Sequence, residues 1–360
     1  MDNSTSSGFQ RAWVDIDLRA LVRNAGSYQA RVGVPLLPMV KADGYGLGAV
    51  AVARALLAVA PWGFGVATIE EALELRAAGV EHQILVFSPF QAADLSSYQS
   101  GSVRPVIGDL AALRAWTAAG DAPFHLEIDT GMSRTGLRWT DSAALAQAGQ
   151  QLRDSAGWEG AFTHFHSAGS DSESTREQWQ RFQAAVESLG RRPALLHAAN
   201  SPAAAFGSQY AGDLARPGIH LYGGASPGME TEPVATLRAR VVALRRVREG
   251  EPVSYDATWR AARDTVVATL GAGYADGVMR SLSNKGVVEV HGTRVPIVGR
   301  VTMDYTMVDV GDLPVRIGDV ATFHGGIVTL DEAARLGGTV SYELLTSLGK
   351  RVPRIYRNNE

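Results

Sequence analysis

A lysine stands at the end of a predicted buried strand. Lys41 follows the apolar run Leu36–Val40 and precedes the turn-forming residues 42–46, Ala-Asp-Gly-Tyr-Gly. A short apolar run is typical of a buried strand, and a stretch rich in Gly and Asp is typical of a turn. Burial lowers the pKa of a lysine amine, so that the amine acts as a base or forms a Schiff base with an aldehyde. The alternative is a solvated lysine just past a strand, and residues further along the chain decide between the two.

Short apolar runs alternate with amphipathic helical segments over the first two thirds of the chain. The predicted strands are Leu36–Val40, Phe64–Thr68, Ile84–Phe87, Val103–Ile107, Phe124–Ile128, Ala161–Phe165 and Ala194–Ala198, with an eighth at either Asp213–Arg216 or Gly218–Tyr222. Eight strands that alternate with helices predict an α/β fold, a parallel sheet closed as a (β/α)8 TIM-type barrel. The active sites of such barrels lie at the carboxyl ends of the strands, where Lys41 is expected.

Polar and ionisable groups are predicted on the same rim of the barrel. They are Arg134, His164, His166, His197, Asn200, Ser201 and Arg216. Each one alone has an ordinary structural explanation, such as the helix cap that Ser201-Pro202 would form. Helix N-termini after the last two strands of these barrels often bind phosphate. A Schiff-base lysine beside a phosphate cradle predicts pyridoxal 5′-phosphate as the cofactor.

The pattern changes after about Pro233. Long alternating runs, from Thr236–Val247 to Asp319–Phe323, are separated by Gly, Pro and Asp turns, and a last helix is predicted at 341–348. This alternation predicts a mostly antiparallel C-terminal β domain. We therefore expect a barrel at 12–233 and a β domain at 234–360, and the strand near 12–18 is able to pair with the β domain.

Composition excludes several classes of protein. The 360 residues carry a net charge of −3, which gives no electrostatic reason to expect nucleic acid or an anionic membrane as a partner. The chain has no cysteine, which excludes disulfides, thiolate nucleophiles and Cys-based zinc sites. Its most apolar stretch, 49–60, is too short to span a bilayer. The polar N-terminus lacks the pattern of a secretory signal and is predicted to be a frayed tail, so we expect a cytoplasmic protein.

Six motifs in order carry a resemblance to a known family. They are Val40–Gly46 (VKADGYG), Asp129–Gly136 (DTGMSRTG), Arg216–Ile219 (RPGI), Val253–Tyr255 (VSY), Gly273–Gly277 (GYADG) and Val298–Asp304 (VGRVTMD). Over nearly its whole length the chain resembles the alanine racemases, which are fold-type III pyridoxal-phosphate enzymes. The resemblance implies a barrel and a β domain in a head-to-tail homodimer. It also favours Asp213–Arg216 as the eighth strand, with a helix that begins near Gly218.

The resemblance implies roles for individual residues. Racemisation removes an α-proton from one face of an amino acid and returns one to the other face, so it needs a base on each face. Lys41 would be one base and Tyr255 of the partner subunit the other, with His164 and Arg216 in a hydrogen-bond chain to that tyrosine. Arg216 would also face the pyridine nitrogen of the cofactor. A guanidinium only donates hydrogen bonds, so it would disfavour a protonated ring nitrogen and limit the electron sink.

Binding residues are implied in the same way. The phosphate ligands would be Tyr45, Ser201, the backbone of Gly218 and Ile219, and Tyr342. The substrate carboxylate would contact Arg134, which also donates to the cofactor's phenolic oxygen, and the backbone amide of Met303 of the partner subunit. Tyr274 and Asp304 would line the access corridor. The alternative for Met303 and Asp304 is an ordinary turn between strands.

Five positions depart from the family pattern. Asp43-Gly44 replaces the commoner Asn-Ala, Asp256 replaces a glycine, and Thr302 stands where cysteine is common. Glu127 stands where many members carry a lysine that becomes carbamylated. Because a carbamate is an anion like a carboxylate, we expect Glu127 to supply the same charge to Arg134. These changes leave the chemistry intact and leave strict alanine specificity open.

Three functions other than alanine racemisation are alternatives for this chain. A serine or broad-specificity amino-acid racemase would carry the same motifs. Amino-acid decarboxylases of the ornithine or diaminopimelate type resemble this architecture but use a C-terminal cysteine, which this chain lacks. A non-catalytic pyridoxal-phosphate carrier resembles the barrel alone and has no second domain. We therefore expect pyridoxal-phosphate-dependent racemisation of L- and D-alanine.

Overall fold

The computed structural model describes residues 10–357, so the predicted N-terminal tail lies outside the described residues. The strands in this stretch are β1 Ala12–Asp17, β2 Gly63–Val66, β3 Gln83–Pro89, β4 Arg104–Ile107, β5 Phe124–Asp129, β6 Leu137–Arg138, β7 Trp158–Phe162, β8 Leu195–His197, β9 Ala235–Val247, β10 Pro252–Val253, β11 Trp259–Arg260, β12 Thr265–Leu270, β13 Val287–Val290, β14 Thr293–Pro296, β15 Thr306–Asp309, β16 Val320–His324 and β17 Arg354–Arg357. The right-handed α-helices are Leu18–Val32, Ala49–Leu56, Ile69–Ala77, Leu95–Gly101, Leu110–Ala118, Ser142–Leu152, Ser172–Ser188, Leu330–Gly337 and Ser341–Thr346. The chain divides into two compact units, Leu21–Glu232 and the remainder.

The unit Leu21–Glu232 is built on a parallel sheet. Strands β2, β3, β4, β5, β7 and β8 pair in that order, and the short β6 lies beside β5. Isolated parallel bridges continue the sheet on both sides of the predicted first strand, from Leu36 to Ala215 and from Met39 to Gly65. The predicted barrel-type fold is confirmed, but its first and eighth strands are single bridges. Pro38 and Pro217 lie in these segments, and proline has no N–H with which to extend a strand ladder.

The helix expected near Gly218 is wrong. The N–H groups of residues 221–223 donate to the carbonyls of residues 218–220, which are the hydrogen bonds of successive tight turns. Gly223 then adopts a φ of 87°, a left-handed conformation that ends the run after about one turn. The segment after Arg216 is therefore a compact turn that presents backbone N–H groups.

Polar caps start the helices that cover the parallel sheet. Asp141 accepts a hydrogen bond from the N–H of Ala144, and Asp171 caps Ser172–Ser188 in the same way. Under the sheet lies a core cluster of apolar side chains from different strands. It contains Leu37, Leu85, Val106, Phe162 and Leu214. These contacts fix the strand ends that carry the candidate site.

The second unit, residues 10–20 with 233–357, is a mostly antiparallel β domain, which confirms that prediction. Its centre is the long strand β9, which pairs with β1, β12 and β16. The side chains of β9 alternate between buried and partly exposed, the two-residue period that the sequence shows. Strand β1 also pairs in parallel with β17, so the ends of the described chain lie side by side.

Between residues 10 and 357, no helix is both long enough and apolar enough to cross a bilayer.

Candidate active site

Lys41 begins a left-handed turn. The φ angles of Ala42, Asp43, Gly44 and Tyr45 are 53°, 54°, 60° and 56°. The carboxylate of Asp43 accepts a hydrogen bond from the N–H of Ala49 at 2.8 Å and so ties the turn to the next helix. Burial, followed by the positive charge of Arg134, lowers the pKa of Lys41, and the carboxylate of Glu71 acts in the opposite direction. The lysine of the sequence prediction is therefore a partly desolvated amine at the edge of the barrel.

Two hydroxyls and a backbone turn converge near Gly218. The N–H of Gly218 donates to Oγ of Ser201 at 2.8 Å, and the N–H of His220 donates to the same oxygen at 3.3 Å. A Cβ at Gly218 would lie 2.3 Å from the hydroxyl oxygen of Tyr45, so a side chain there would displace that hydroxyl. Ile219 follows with a buried side chain. Hydroxyls and backbone N–H groups around a turn are the donors that a phosphate needs, so this corner fits the phosphate of pyridoxal phosphate.

Arg216 lies almost fully buried beside this corner, with 3% of its surface exposed. Its Nη2 donates to the carbonyls of Thr163 and Ala198 at 2.9 and 3.2 Å. Its guanidinium also lies over the ring of Phe162, 5.0 Å from the centroid. Burial lowers the pKa of Arg216 to about 10, so the group remains a cation and a donor at neutral pH.

A buried hydrogen-bond chain continues from Arg216 across four strands. Nη1 of Arg216 lies 2.8 Å from Nδ1 of His197, and Nε2 of His197 lies 2.7 Å from Nδ1 of His125. Nε2 of His125 then lies 3.1 Å from the carboxylate of Glu159, which also accepts from Arg104 at 3.0 Å. We call Arg216, His197, His125, Glu159 and Arg104 the buried relay.

Donor chemistry fixes the direction of the buried relay. Because arginine only donates, Nδ1 of His197 must accept, so its proton sits on Nε2 and is donated to His125. The same argument puts the proton of His125 on Nε2, facing Glu159. Burial lowers the pKa of both histidines, which keeps them neutral. Burial raises the pKa of Glu159, but hydrogen bonds to His125 and Arg104 outweigh burial and lower this pKa to about 2. The guanidinium of Arg216 is therefore oriented by a chain that ends on a carboxylate.

His164 and Arg134 lie in the same cationic neighbourhood. Burial first, then the charges of Arg216, Arg134 and Lys41, lower the pKa of His164 to about 3, so His164 is neutral at neutral pH. The bonds of Arg216 go to His197 and to backbone carbonyls, and between residues 10 and 357 no hydrogen bond joins Arg216 to His164. The role of His164 in a chain to Tyr255 stays a prediction.

Glu127 is a buried carboxyl with an unsatisfied oxygen. It lies on β5 with 4% of its surface exposed, and its Oε2 has no hydrogen-bond partner among the described residues. Burial raises the pKa of Glu127, whereas a hydrogen bond from Thr135 and the charges of Arg134 and Arg216 lower it. The structure therefore places a buried acidic group within the electrostatic influence of Arg134 and Arg216.

Tyr255 lies in the second unit on a strained, exposed turn. Its side chain is 69% exposed, and its neighbours Ser254 and Asp256 have φ angles of 67° and 60°. Oγ of Ser254 donates to the carbonyl of Arg300 at 2.7 Å, and the side chain of Arg300 pairs with Asp256 at 2.7 Å. Beside the turn is a cavity of about 340 Å³. Its lining residues are Ser254, Tyr255, Thr269, Thr302, Tyr305 and Met307.

Tyr274, Met303 and Asp304, the other predicted residues of this unit, lie on neighbouring turns. The N–H of Tyr274 donates to the carbonyl of Thr302 at 2.9 Å. Asp276, which is almost fully buried, accepts from Arg11 at 2.9 Å and from Arg351 at 2.7 Å. Arg351 also donates to Asp304 at 2.7 Å, and so joins the two turns.

Tyr342, the last predicted phosphate ligand, lies on the helix Ser341–Thr346 of the second unit. The structure brings together Lys41, Arg134, His164 and Arg216 in one unit, with Tyr45, Ser201, Gly218 and Ile219 at the phosphate corner. It brings together Tyr274, Met303 and Asp304 in the other.

Several residues around the site escaped the sequence analysis. Arg104 and His125 lie in predicted strands without a predicted role, Glu159 precedes the predicted strand Ala161–Phe165, and Glu71 was not singled out. The only available signal was Gly160, where a Cβ would lie 2.5 Å from the ring of His125. That glycine leaves room for a buried imidazole, but the requirement is visible only when β5 and β7 are paired.

The fold and the donors together define a barrel-type pyridoxal-phosphate protein with an appended β domain. Family models described as "Alanine racemase, N-terminal domain" and "Alanine racemase, C-terminal domain" match residues 16–226 and 234–356. The chain therefore belongs to the alanine racemase family, whose enzymes depend on pyridoxal phosphate.

Individual relatives agree with this assignment. An alanine racemase of Acidiphilium cryptum is 39% identical over 353 residues, which cover 95% of this chain and 98% of that protein. A catabolic alanine racemase of Rhizobium johnstonii is 40% identical, with 95% of this chain and 94% of that protein covered. The crystal structure of an alanine racemase from Bartonella henselae, with covalently bound pyridoxal phosphate, has a TM-score of 0.90 at 32% identity and covers 96% of this chain and 99% of that chain.

Proposed function

We propose that this chain is a pyridoxal-phosphate-dependent alanine racemase that uses Lys41 and Tyr255 as bases on opposite faces of the substrate. The observation that carries the proposal is the arrangement of Lys41, Arg216 and the phosphate corner at one end of the parallel sheet, in a chain of this family. Pyridoxal phosphate, when bound there, supplies an electron sink that acidifies the α-C–H bond of the amino acid.

The residues of the barrel unit divide the binding tasks. Tyr45, Ser201 and the N–H groups of Gly218 and Ile219 hold the phosphate, and Tyr342 is proposed as a further ligand. Arg216, which the buried relay orients, would donate to the pyridine nitrogen. Arg134 binds the substrate carboxylate. Glu127 supplies the anionic charge that keeps Arg134 oriented, as a carbamylated lysine does in other members.

Proton transfer is assigned to two groups. Lys41 takes or returns the α-proton on one face, helped by the lowered pKa of its amine. Tyr255 does the same on the other face. Its free pKa of about 10 requires help, for which a hydrogen-bond chain through the neutral His164 and the cationic Arg216 is proposed. Tyr274 and Asp304 line the access corridor, and the amide of Met303 contacts the substrate carboxylate.

A homodimer with shared sites is part of the proposal. Tyr255 and Met303 are 69% and 52% exposed, as expected for side chains that complete a site on another subunit. Mixed dimers of Lys41→Ala and Tyr255→Phe subunits would contain one site with both bases intact, so mixing the two inactive variants should restore about a quarter of wild-type activity. Failure to regain activity, or a fully active monomer by light scattering, would contradict shared sites. A cytoplasmic location is also proposed, and cell fractionation tests it.

The first experiment measures the reaction directly. The purified protein with pyridoxal phosphate is incubated with L-alanine in heavy water, and the enantiomers and their α-deuterium are resolved. Deuterated D-alanine that is absent with Lys41→Ala is the expected result. Cofactor binding without D-alanine would contradict alanine racemisation and would direct the assay to serine and other amino acids.

A further inference from the structure

The turn after Lys41 is conformationally costly and needs an external support. Left-handed φ angles are unfavourable for a residue that has a Cβ, and Ala42, Asp43 and Tyr45 all adopt them. Such strain persists only where surrounding contacts determine the conformation. A neighbouring group must therefore hold this turn in place.

The carboxylate of Glu71 contacts the turn directly. Its Oε1 accepts the N–H of Ala42 at 2.6 Å, and its Oε2 accepts the N–H of Ala67 at 2.7 Å. Ala67 follows β2, the strand that bridges to Met39 just before Lys41. One carboxylate thus joins the residue after Lys41 to the end of the neighbouring strand.

Glu71 is also the anion that faces the Lys41 amine. Two charged groups act on this amine, the cation Arg134 and the anion Glu71. The neutral His164 lies in the same neighbourhood. A carboxylate favours the protonated amine, whereas burial and Arg134 favour the neutral amine.

We propose that Glu71 is a positioning residue for Lys41, which accepts a hydrogen bond from Ala42 in the left-handed turn, ties that turn to the neighbouring strand through a second bond from Ala67, and sets the charge balance of the amine. The inference rests on the proposed function, in which Lys41 binds the cofactor and acts as a base.

An ordinary helix cap is the competing explanation. Glu71 forms a capping box with Thr68 at the start of Ile69–Ala77, and such a box satisfies two orphan N–H groups of the helix. However, its bond to the N–H of Thr68 is long, at 3.3 Å, and its shortest bond goes to Ala42, which is outside the helix. Thr68→Ala is therefore the matched control, because it weakens the cap and leaves the contact to Ala42.

The first test titrates Lys41 directly. The chain contains only three lysines, Lys41, Lys285 and Lys350, so full-length protein with carbon-13 at the lysine ε position gives three assignable NMR signals. In cofactor-free protein, Glu71→Gln should lower the pKa of Lys41, because a charge that favours the protonated amine is removed. Lys285 and Lys350 should titrate as before, and Thr68→Ala should leave Lys41 unchanged. An unchanged Lys41 pKa in Glu71→Gln, or an equal fall in Thr68→Ala, overturns the electrostatic role.

The second test follows the turn itself. Loss of a hydrogen bond worth about 1.4 kcal/mol should speed amide hydrogen exchange at Ala42 about tenfold in Glu71→Ala. In Glu71→Gln, which retains one acceptor oxygen, the exchange rate at Ala42 should lie between the rates in Glu71→Ala and in the wild type. In Thr68→Ala this rate should equal that of the wild type. Exchange at Ala42 that is equal in all four proteins overturns the positioning role.

The cofactor-loaded enzyme gives a third readout. A displaced Lys41 should weaken the binding of pyridoxal phosphate and lower kcat in Glu71→Ala, with little change in KM for alanine, and Glu71→Gln should recover part of both losses. Equal effects in Glu71→Ala and Thr68→Ala would reduce Glu71 to a helix cap. If wild-type protein fails to racemise alanine, the proposed function fails, while the titration and exchange results still decide the role of Glu71.

Discussion

The two proposed bases lie on left-handed turns that are supported in different ways. The turn after Lys41 is held from inside its own unit, by Glu71 and by the bond from Ala49 to Asp43. The turn around Tyr255 is held by one hydroxyl bond and by the ion pair of Asp256 with Arg300, whose side chains are 65% and 32% exposed. The difference teaches that the barrel supports its proposed base with contacts inside its own unit, whereas the β domain leaves its proposed base largely exposed.

The same contrast extends to the groups around each base. Arg216 and the histidines of the buried relay are enclosed, and each has a partner whose donor or acceptor role is fixed. Tyr274 and Met303 are 44% and 52% exposed, and the ion pairs near them hold the backbone turns. We expect substitutions in the barrel to change the character of the chemistry. We expect those in the β domain to act on one face of the substrate.

Removing the Tyr255 hydroxyl should have the largest effect. A general base contributes about 10²–10⁴-fold to rate, so Tyr255→Phe should lower kcat for racemisation by that factor in both directions. Lys41 should still exchange the α-proton of one enantiomer with solvent, which proton NMR in heavy water measures.

The matched control is Tyr305→Phe, because Tyr305 is an exposed tyrosine that lines the same cavity. Tyr305→Phe should have a kcat for racemisation close to that of the wild type. Equal loss of exchange from both enantiomers in Tyr255→Phe would contradict the one-face assignment and the comparison between the two turns.

Arg216→Glu should change the product ratio. A carboxylate at the pyridine nitrogen favours its protonated form, strengthens the electron sink and should raise transamination relative to racemisation. Pyruvate formed for each racemisation event is the measurement, and Arg216→Lys, which retains the cation, is the control. An unchanged ratio would refute the role of Arg216, and a raised ratio in both variants would show that burial, not charge, controls the partition.

The sequence predicts those features of the two turns and their surroundings that depend on residues close together in the chain. It does not predict features that depend on residues far apart in the chain. Lys41 at a strand end and the long alternating strand β9 were predicted, because each follows from residues close in the chain. The left-handed turn at Ala42 was not, because its support comes from Glu71, 29 residues away. The buried relay was hidden for the same reason, since His125 and Glu159 become neighbours only in the paired sheet. The helix expected at Gly218 failed because Gly223 stops it.

Glu127→Gln should have an intermediate effect. Loss of the anion near Arg134 removes a Coulombic attraction, and a loss of about 1.4 kcal/mol would raise KM for alanine about tenfold. Because burial raises the pKa of Glu127, the wild-type carboxylate should be protonated as the pH falls through that raised value. Wild-type KM should therefore rise toward low pH, and Glu127→Gln should lack this rise.

Thermal unfolding of the Glu127 variant serves as the control for a folding defect. Unchanged substrate affinity and turnover in Glu127→Gln would remove Glu127 from the site and would leave its buried, unpartnered oxygen without a function.

Asp256→Asn should have the smallest effect. Asparagine tolerates left-handed φ angles, so this change removes the charge and leaves the backbone of the Tyr255 turn intact. Because exposed ion pairs contribute about 0–1 kcal/mol, kcat should fall less than about fivefold at low salt. At 1 M salt, where the Debye length is about 3 Å, wild type and Asp256→Asn should converge. Asp256→Gly relieves the left-handed strain as well and should lower kcat further if the strained geometry holds Tyr255 in place. A fall as large as that of Tyr255→Phe, or one that persists at high salt, would mean that the Tyr255 turn is as firmly held as the Lys41 turn.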